Sequence, residues 1–380
     1  MMPVVERIFP RRNPAETAAP VKRTRRAVWI ALALVAVVSL LTYAGLAYFH
    51  QVNKPIAVQA TATPTPSATI SPTATPAPVY AKLDGRPVAA GKDNLHPLAV
   101  MIENHPDARP QAGLGSANLV YEAIAEGGIT RFMAVFDDAA GTAVKVGPIR
   151  SARTYYLHFA EELHAIYAHA GGNIDALDEI SAGAPIFNED GLALGSPLFT
   201  RDYSRNVASE HTLYSTTDKL WNYAIQTRQW PTAGDYSAWT FQDDVALAQR
   251  PSSQSVVVNV SSSEYNVTWQ YDRANNDYLR VMAGAPHIDV NTGKQITTKN
   301  IVLQTVDRRA ILTRINEQGY VYTLTGSGVA VVIQDGISIK GTWKNDGTRT
   351  RYFDASGNEI AMVRGTTWVH LVHSDSVINY

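Results

Sequence analysis

The sequence predicts an α+β protein: a single N-terminal transmembrane helix, then an α/β domain, then a β-rich domain. Three observations carry this expectation. Ala27 to Phe49 is a run of 23 residues with no charged side chain. Residues 80–245 alternate short apolar runs with helix-like stretches, the order of an α/β unit. Residues 255–380 are rich in β-branched and aromatic runs separated by Asn, Asp and Gly turns.

At about 1.5 Å per residue the apolar run reaches about 34 Å, enough to span a hydrocarbon core. Arg7, Arg11, Arg12, Lys22, Arg23, Arg25 and Arg26 all precede it. The positive-inside bias then makes residues 1–26 a cytoplasmic tail. Everything after the helix becomes extracytoplasmic, with the cell membrane as partner of Ala27–Phe49. Trp29, Tyr43, Tyr48 and Phe49 lie towards its ends, as interfacial aromatics do. A cleaved signal peptide is the alternative, with Gly45-Leu46-Ala47 as the small-x-small site. The run is longer than the usual apolar region of roughly 7–15 residues in such peptides. Residues 50–79 form a Thr/Pro-rich linker with Lys54 as its one charge, and its prolines forbid a helix.

Composition narrows the function classes. Of 380 residues, 45 % are hydrophobic, enough to exclude global disorder. Seven of the 33 Lys/Arg but only Glu6 and Glu16 of the 34 acidic residues fall in the first 50 positions. The remainder is acidic, so a nucleic-acid partner is not expected. There is no cysteine, which excludes disulfides, thiol nucleophiles, Fe–S clusters and a Cys-linked lipid anchor.

Along the outer part, Leu98 to Ile102, Arg131 to Phe136, Ala143 to Val146 and Ala165 to Ala168 read as short buried strands. Ser151 is placed to N-cap a helix to about Leu163, and Ile174 to Ile180 and Thr216 to Arg228 read as further helices. Ala117 to Glu122 fits either a helix or a strand. A polar stretch at 242–254 marks the domain boundary. Beyond it, strands are expected at Val256–Val260, Asn266–Tyr271, Tyr278–Met282, Ile301–Val306, Tyr320–Thr325, Val329–Ile333 and Thr366–Val372.

Polar residues cluster at strand ends, where loops carry binding groups. Glu103 to Gln111 (ENHPDARPQ) follows an apolar strand and contains Asn104, Arg109 and Gln111. Gly147 to Arg153 (GPIRSAR) joins a strand to a helix start. Its Arg150, Ser151 and Arg153, with Arg131 nearby, make a credible anion site beside free backbone N–H groups. His169 to Asn173 is a second such turn, and Gly171 and Gly172 let backbone approach a ligand. In an α/β sheet two such turns would line one cleft. Structural pairing of the arginines with Glu122, Glu126 or Glu161 is the competing reading. Glu122 and Glu126 are candidate acid–base carboxylates, with His169 and His211 as helpers. A helix would bring the two carboxyls within the range glycosidic chemistry needs, whereas a strand would hold them about 13 Å apart. No metal site and no cofactor is expected: His370 and His373 fall on opposite faces of a strand, and His158, His164 and His169 lack a ligand spacing. Walker A and G-x-S-x-G motifs are absent.

The runs NHPDARPQAGL (Asn104–Leu114), VYEAIAEGGITRFMAVF (Val120–Phe136), GPIRSAR and HAGG (His169–Gly172) together resemble the YerB-like lipoprotein family, a two-part bacterial domain of unknown function. Arg201-Asp202, Glu210 to Tyr214, and C-terminal runs from Tyr271 to Trp368 are similar too. The resemblance covers residues 80–380. It implies a cell-envelope protein with an α/β N-terminal and a β-rich C-terminal part, and supplies no reaction or catalytic residue. Lipoprotein members carry a lipid-modified cysteine; here Ala27–Phe49 stands in for it as anchor.

Taken together, the sequence points first to an envelope protein that binds an anionic ligand such as a cell-wall fragment. A wall hydrolase or transferase, and a scaffold of a membrane complex, are the alternatives. Protein partners are not legible.

Overall fold

The computed structural model describes residues 23–52, 77–137 and 143–380. Two units part near residue 75 and are taken separately. The expected basic tail before Arg23 and the linker over 53–76 lie outside the described residues. In the first unit one helix, α1, runs Arg23–Val52 and contains the whole apolar run. Its segment Leu34–Val52 is long and apolar enough to cross a membrane by length and composition, and Leu40, Leu41, Tyr43 and Phe49 are exposed on it.

The second unit is mixed α+β, with a sheet-rich C-terminal part. Its centre is a ten-stranded sheet. The strands in chain order are β1 (Leu98–Glu103), β2 (Leu119–Ile124), β3 (Thr130–Phe136), β4 (Ile166–His169), β5 (Phe187–Asp190), β6 (Asn300–Thr305), β7 (Gly326–Gln334), β8 (Ile337–Asn345), β9 (Arg351–Asp354) and β10 (Thr367–Val372). They lie in the order β9-β8-β7-β6-β10-β2-β3-β1-β4-β5. The two sequence segments meet where β10 pairs parallel with β2, His370 opposite Glu122. The α/β segment and the β-rich segment of the sequence reading thus share one sheet. Neither segment closes its own sheet, because β2 and β10 each need the other as a hydrogen-bonding neighbour.

Every residue of β1, β2 and β3 is buried, as expected of strands covered on both faces. On one face Met101, Tyr121, Ala123 and Met133 pack against Tyr155, Tyr156 and Phe159 of α2 (Thr154–Glu162) and against Tyr322. On the other, Ile102, Phe132 and Trp368 pack against Val256, Val267, Trp269 and Tyr278, which belong to a second sheet built from residues 255–298 and 377–379.

Several elements differ from the sequence reading. The stretch left open as helix or strand is strand β2. α2 begins at Thr154 with Arg153 at its N-cap, so Ser151 is not the cap; its carbonyl instead accepts from Arg131 Nη1 at 3.1 Å. The run Ala143–Val146 contributes only the two-residue strand Lys145–Val146. The expected strand Tyr320–Thr325 is shifted to Gln318–Tyr322. The helix expected over 216–228 is α-helical for Thr217–Asn222 and ends in a wider π turn, Tyr223–Thr227. β8 was not expected at all. α3 (Ile174–Ser181) is capped by the Asn173 side chain, which accepts from the Ala176 N–H.

Candidate functional site

At the ends of β1 and β3 the two faces of the sheet carry two polar clusters. Register explains this. Glu103 lies opposite Arg131 across the β1–β3 pair, so both project to the α2 face. Thr130 and Glu122, one position out of phase, project to the other.

On the α2 face, Arg150 Nε bonds a Glu103 carboxylate oxygen. Arg153 grips both carboxylate oxygens of Glu126 through Nε and Nη2. Arg131 lies between these two pairs and is 4 % exposed. Its hydrogen bond to the Ser151 carbonyl is satisfied, but its buried Nε has no acceptor. No carboxylate among the described residues comes within salt-bridge distance of it. Burial and the neighbouring Arg153 pull the Arg131 guanidinium below its ordinary value. Burial would raise Glu103, but the charges of Arg131 and Arg150 outweigh it and hold that carboxyl below its ordinary range. Glu126 likewise lies low, burial being overcome by Arg153. The two strand-to-helix turns do meet here. The Ala152 N–H donates to the Gly171 carbonyl at 2.9 Å, and the Ala170 N–H to the Arg150 carbonyl at 3.0 Å. Gly171 has a φ of +60°, and its N–H is taken by Asp190 Oδ1. At Gly147 a Cβ would fall 2.7 Å from the Tyr214 ring and 2.8 Å from the Leu213 carbonyl, so no larger residue fits.

The other face holds a buried network, in which Arg280 Nη1 has no hydrogen-bond partner. Arg280 is fully buried; its Nη2 donates to both oxygens of Glu122 at 3.1 and 2.9 Å. The guanidinium lies 4.3 Å from the Trp368 ring centre and 5.0 Å from that of Trp269. Trp368 Nε1 donates to Glu122 at 2.9 Å. Trp269 Nε1 donates to His370 Nε2 at 3.0 Å, which fixes the proton of neutral His370 on Nδ1, facing Glu122. Arg280 Nε donates to His287 Nδ1 at 3.0 Å, so His287 Nε2–H faces Gln111 Oε1 at 2.8 Å. Gln111 Nε2 then donates to Asn104 Oδ1, and Asn104 Nδ2 to Thr130. Burial, with Arg280 second, holds both histidines well below their ordinary value and therefore neutral.

The candidate ligand residues thus separate. Arg131, Arg150, Ser151, Arg153, Gly171 and Gly172 share the α2 face. Asn104 and Gln111 are fully buried in the opposite network. Arg109 is tied to the Asn104 and Glu264 carbonyls at 3.1 and 2.9 Å. The candidate carboxylates do not form a pair: Glu122 belongs to the Arg280 network and Glu126 to Arg153. The β-strand ends at Ile124, and the tight turn Glu126–Gly128 breaks the alternation that would have kept them on one face. His169 is buried with both ring nitrogens hydrogen-bonded, to the Gly171 carbonyl and to Asn188. His211 keeps a buried Nδ1 without a partner, 3.8 Å from a Glu103 oxygen. Sequence reasoning missed Arg280, Trp368 and His370 as partners of Glu122, since each lies in an ordinary-looking strand with no local motif.

Fold and site define a class: a two-segment protein in which the segments share one sheet and lock it with a buried charge network. Models described as the N-terminal and C-terminal domains of a protein of unknown function (DUF3048) match residues 83–231 and 256–369. The chain is 31 % identical over 282 residues to a Bacillus subtilis (strain 168) protein named "Putative lipoprotein YerB", covering 73 % of this chain and 81 % of that one. The crystal structure of YerB from Bacillus subtilis is similar at a TM-score of 0.68 and 26 % identity, over 80 % of this chain and 100 % of that one. The chain belongs to this YerB-like family. A lipoprotein relative and an apolar N-terminal helix together suggest membrane association or a cell-envelope location.

Proposed function

We propose that this protein is held in the membrane by α1, N-terminus in the cytoplasm, and that its extracytoplasmic unit binds an anionic envelope ligand at Arg131. The observation that carries this reading is the state of that side chain. Arg150 and Arg153 each have a carboxylate; Arg131, buried between them, has a carbonyl and an unmet Nε–H. Buried guanidinium groups are ordinarily paired, because an unpaired one costs several kcal/mol. A carboxylate or phosphate entering beside Ser151 would supply the missing acceptor at Nε. The Arg150–Glu103 and Arg153–Glu126 pairs then act as walls that orient Arg131. The seven basic residues that precede Ala27 support the orientation.

The test is equilibrium binding of muramidase-released cell-wall fragments to the full-length chain in detergent. Saturable binding is expected, with only a weak dependence on salt, since the charge pair forms at a buried guanidinium. No binding across fragments bearing carboxylates and phosphates would reject the reading.

A further inference from the structure

Beside the Arg131 site lies a second cluster that the anion reading does not use. His105 and Asp107 occupy the turn that follows β1, in which Pro106–Ala108 forms one 3-10 turn. His211 ends another such turn, Ser209–His211, far along the chain. The fold brings one ligand atom from each of the three within 4.8 Å of the others. The His105 and His211 rings lie with centroids 4.8 Å apart. We propose that His105, Asp107 and His211 bind a divalent first-row transition metal, with zinc as the natural probe.

Four observations support the site. First, His211 is 5 % exposed and its Nδ1 has no hydrogen-bond partner. A buried ring nitrogen without a partner is rare and calls for a ligand. Second, the two loops are fastened to each other. Arg205 donates to the carbonyls of Asp107 and Arg109 on one loop, at 2.8 and 3.2 Å, and of His211 on the other, at 3.3 Å. The ligand-bearing loops are therefore positioned by one guanidinium that is not itself a ligand. Third, the turn is closed locally: the Asp107 backbone N–H donates to His105 Nδ1 at 3.2 Å, a bond that a metal on that nitrogen would replace. Fourth, the donor set is specific. Two imidazoles and one carboxylate suit zinc and its neighbours, whereas calcium and magnesium demand more oxygens.

Metal–ligand bonds of about 2.0–2.1 Å put neighbouring donors roughly 3–3.5 Å apart. The cluster must therefore close by about an ångström, which side-chain rotation at half-exposed His105 and exposed Asp107 allows. Asp107 faces solvent, so the remaining coordination positions would open outward. A plain His105–Asp107 ion pair would leave His211 Nδ1 facing only the Glu103 oxygen at 3.8 Å, beyond hydrogen-bond distance.

The test is calorimetric titration of the chelator-stripped full-length chain with zinc alone. The cobalt-substituted protein, read by its visible absorption, reports imidazole coordination. One equivalent per chain is expected. Second-shell losses weaken metal sites about 10–100-fold, so His105→Gln and His211→Gln should weaken zinc by about 100-fold or more. Asp107→Asn should weaken it less. Should His211→Gln fail to fold by circular dichroism, His105→Gln decides, because its side chain is half-exposed. Absence of saturable binding, or equal affinity in wild type and His105→Gln, overturns the site. Zinc should also raise Tm in the wild type and not in His105→Gln.

Discussion

Arg280→Ala removes the centre of the network that joins the two segments. The side chain is fully buried and donates to both Glu122 oxygens and to His287. Truncation leaves the Glu122 carboxyl in the interior with only Thr130, Trp368 and His370 facing it. Breaking a buried pair on one side costs about 3–5 kcal/mol. Lost contact with the Trp368 and Trp269 faces adds in the same direction, up to about 2 kcal/mol. Against a total stability of roughly 5–15 kcal/mol, the variant should be close to unfolding at 37 °C. The assay is denaturant unfolding followed by tryptophan fluorescence, since two of the contacting groups are indoles. Arg280→Met combined with Glu122→Leu removes both charges and should recover most of the loss. A loss below about 1 kcal/mol in Arg280→Ala, or no recovery in the double variant, would refute the network as the lock between segments.

Other predictions follow from the same structure. Glu189 is buried without a hydrogen-bond partner, and burial pushes its carboxyl up to about 9. A raised carboxyl favours folding fully below its unfolded value of about 4.5 and progressively less as pH climbs to about 9. Holding it neutral at pH 7 costs about 3 kcal/mol, so Glu189→Met should raise Tm at pH 7, and by more at pH 9. His287 and His370 sit well below the ordinary 6.5, so their contribution is complete above that pH. Stability should fall as pH drops below about 6.5, where the unfolded chain takes up protons first; a flat Tm from pH 7 to 5 would contradict this. Asp289 Oδ2 accepts from the Gly113 and Gly115 N–H groups at 2.8 and 2.9 Å. Asp289→Ala should cost about 2–3 kcal/mol in denaturant unfolding by orphaning both.

Local pattern made much of this fold legible. β1, β3, β4 and β10 announce themselves as short apolar runs, and α3 by Asn173 ahead of its first turn. β8 escaped notice because it reads Ile-Ser-Ile-Lys-Gly-Thr-Trp-Lys-Asn, largely exposed, with a glycine at its middle. Gly341 is needed there, since a Cβ would lie 1.8 Å from the Phe353 carbonyl of β9. The shared sheet was not legible for a different reason. Parallel pairing of β10 with β2 depends on residues far apart in sequence, and neither strand names its partner. The site divides the same way. Arg131, Arg150 and Arg153 stand in motifs at strand ends and could be picked out. The pairing of Arg153 with Glu126 was foreseen, and that of Arg150 with Glu103 was not. His105 and His211 were invisible as a set, because metal-ligand spacing is recognisable only when the ligands are close in sequence.

The claim on which the account rests is that Arg131 awaits an anion. It is tested most directly by comparing wild type with Arg131→Gln in calorimetric binding of muramidase-released wall fragments, with circular dichroism confirming that both are folded. The account predicts at least about a tenfold loss of affinity on removal of one charge-assisted contact of about 1.5–3 kcal/mol. Unchanged affinity in a folded Arg131→Gln chain would contradict it.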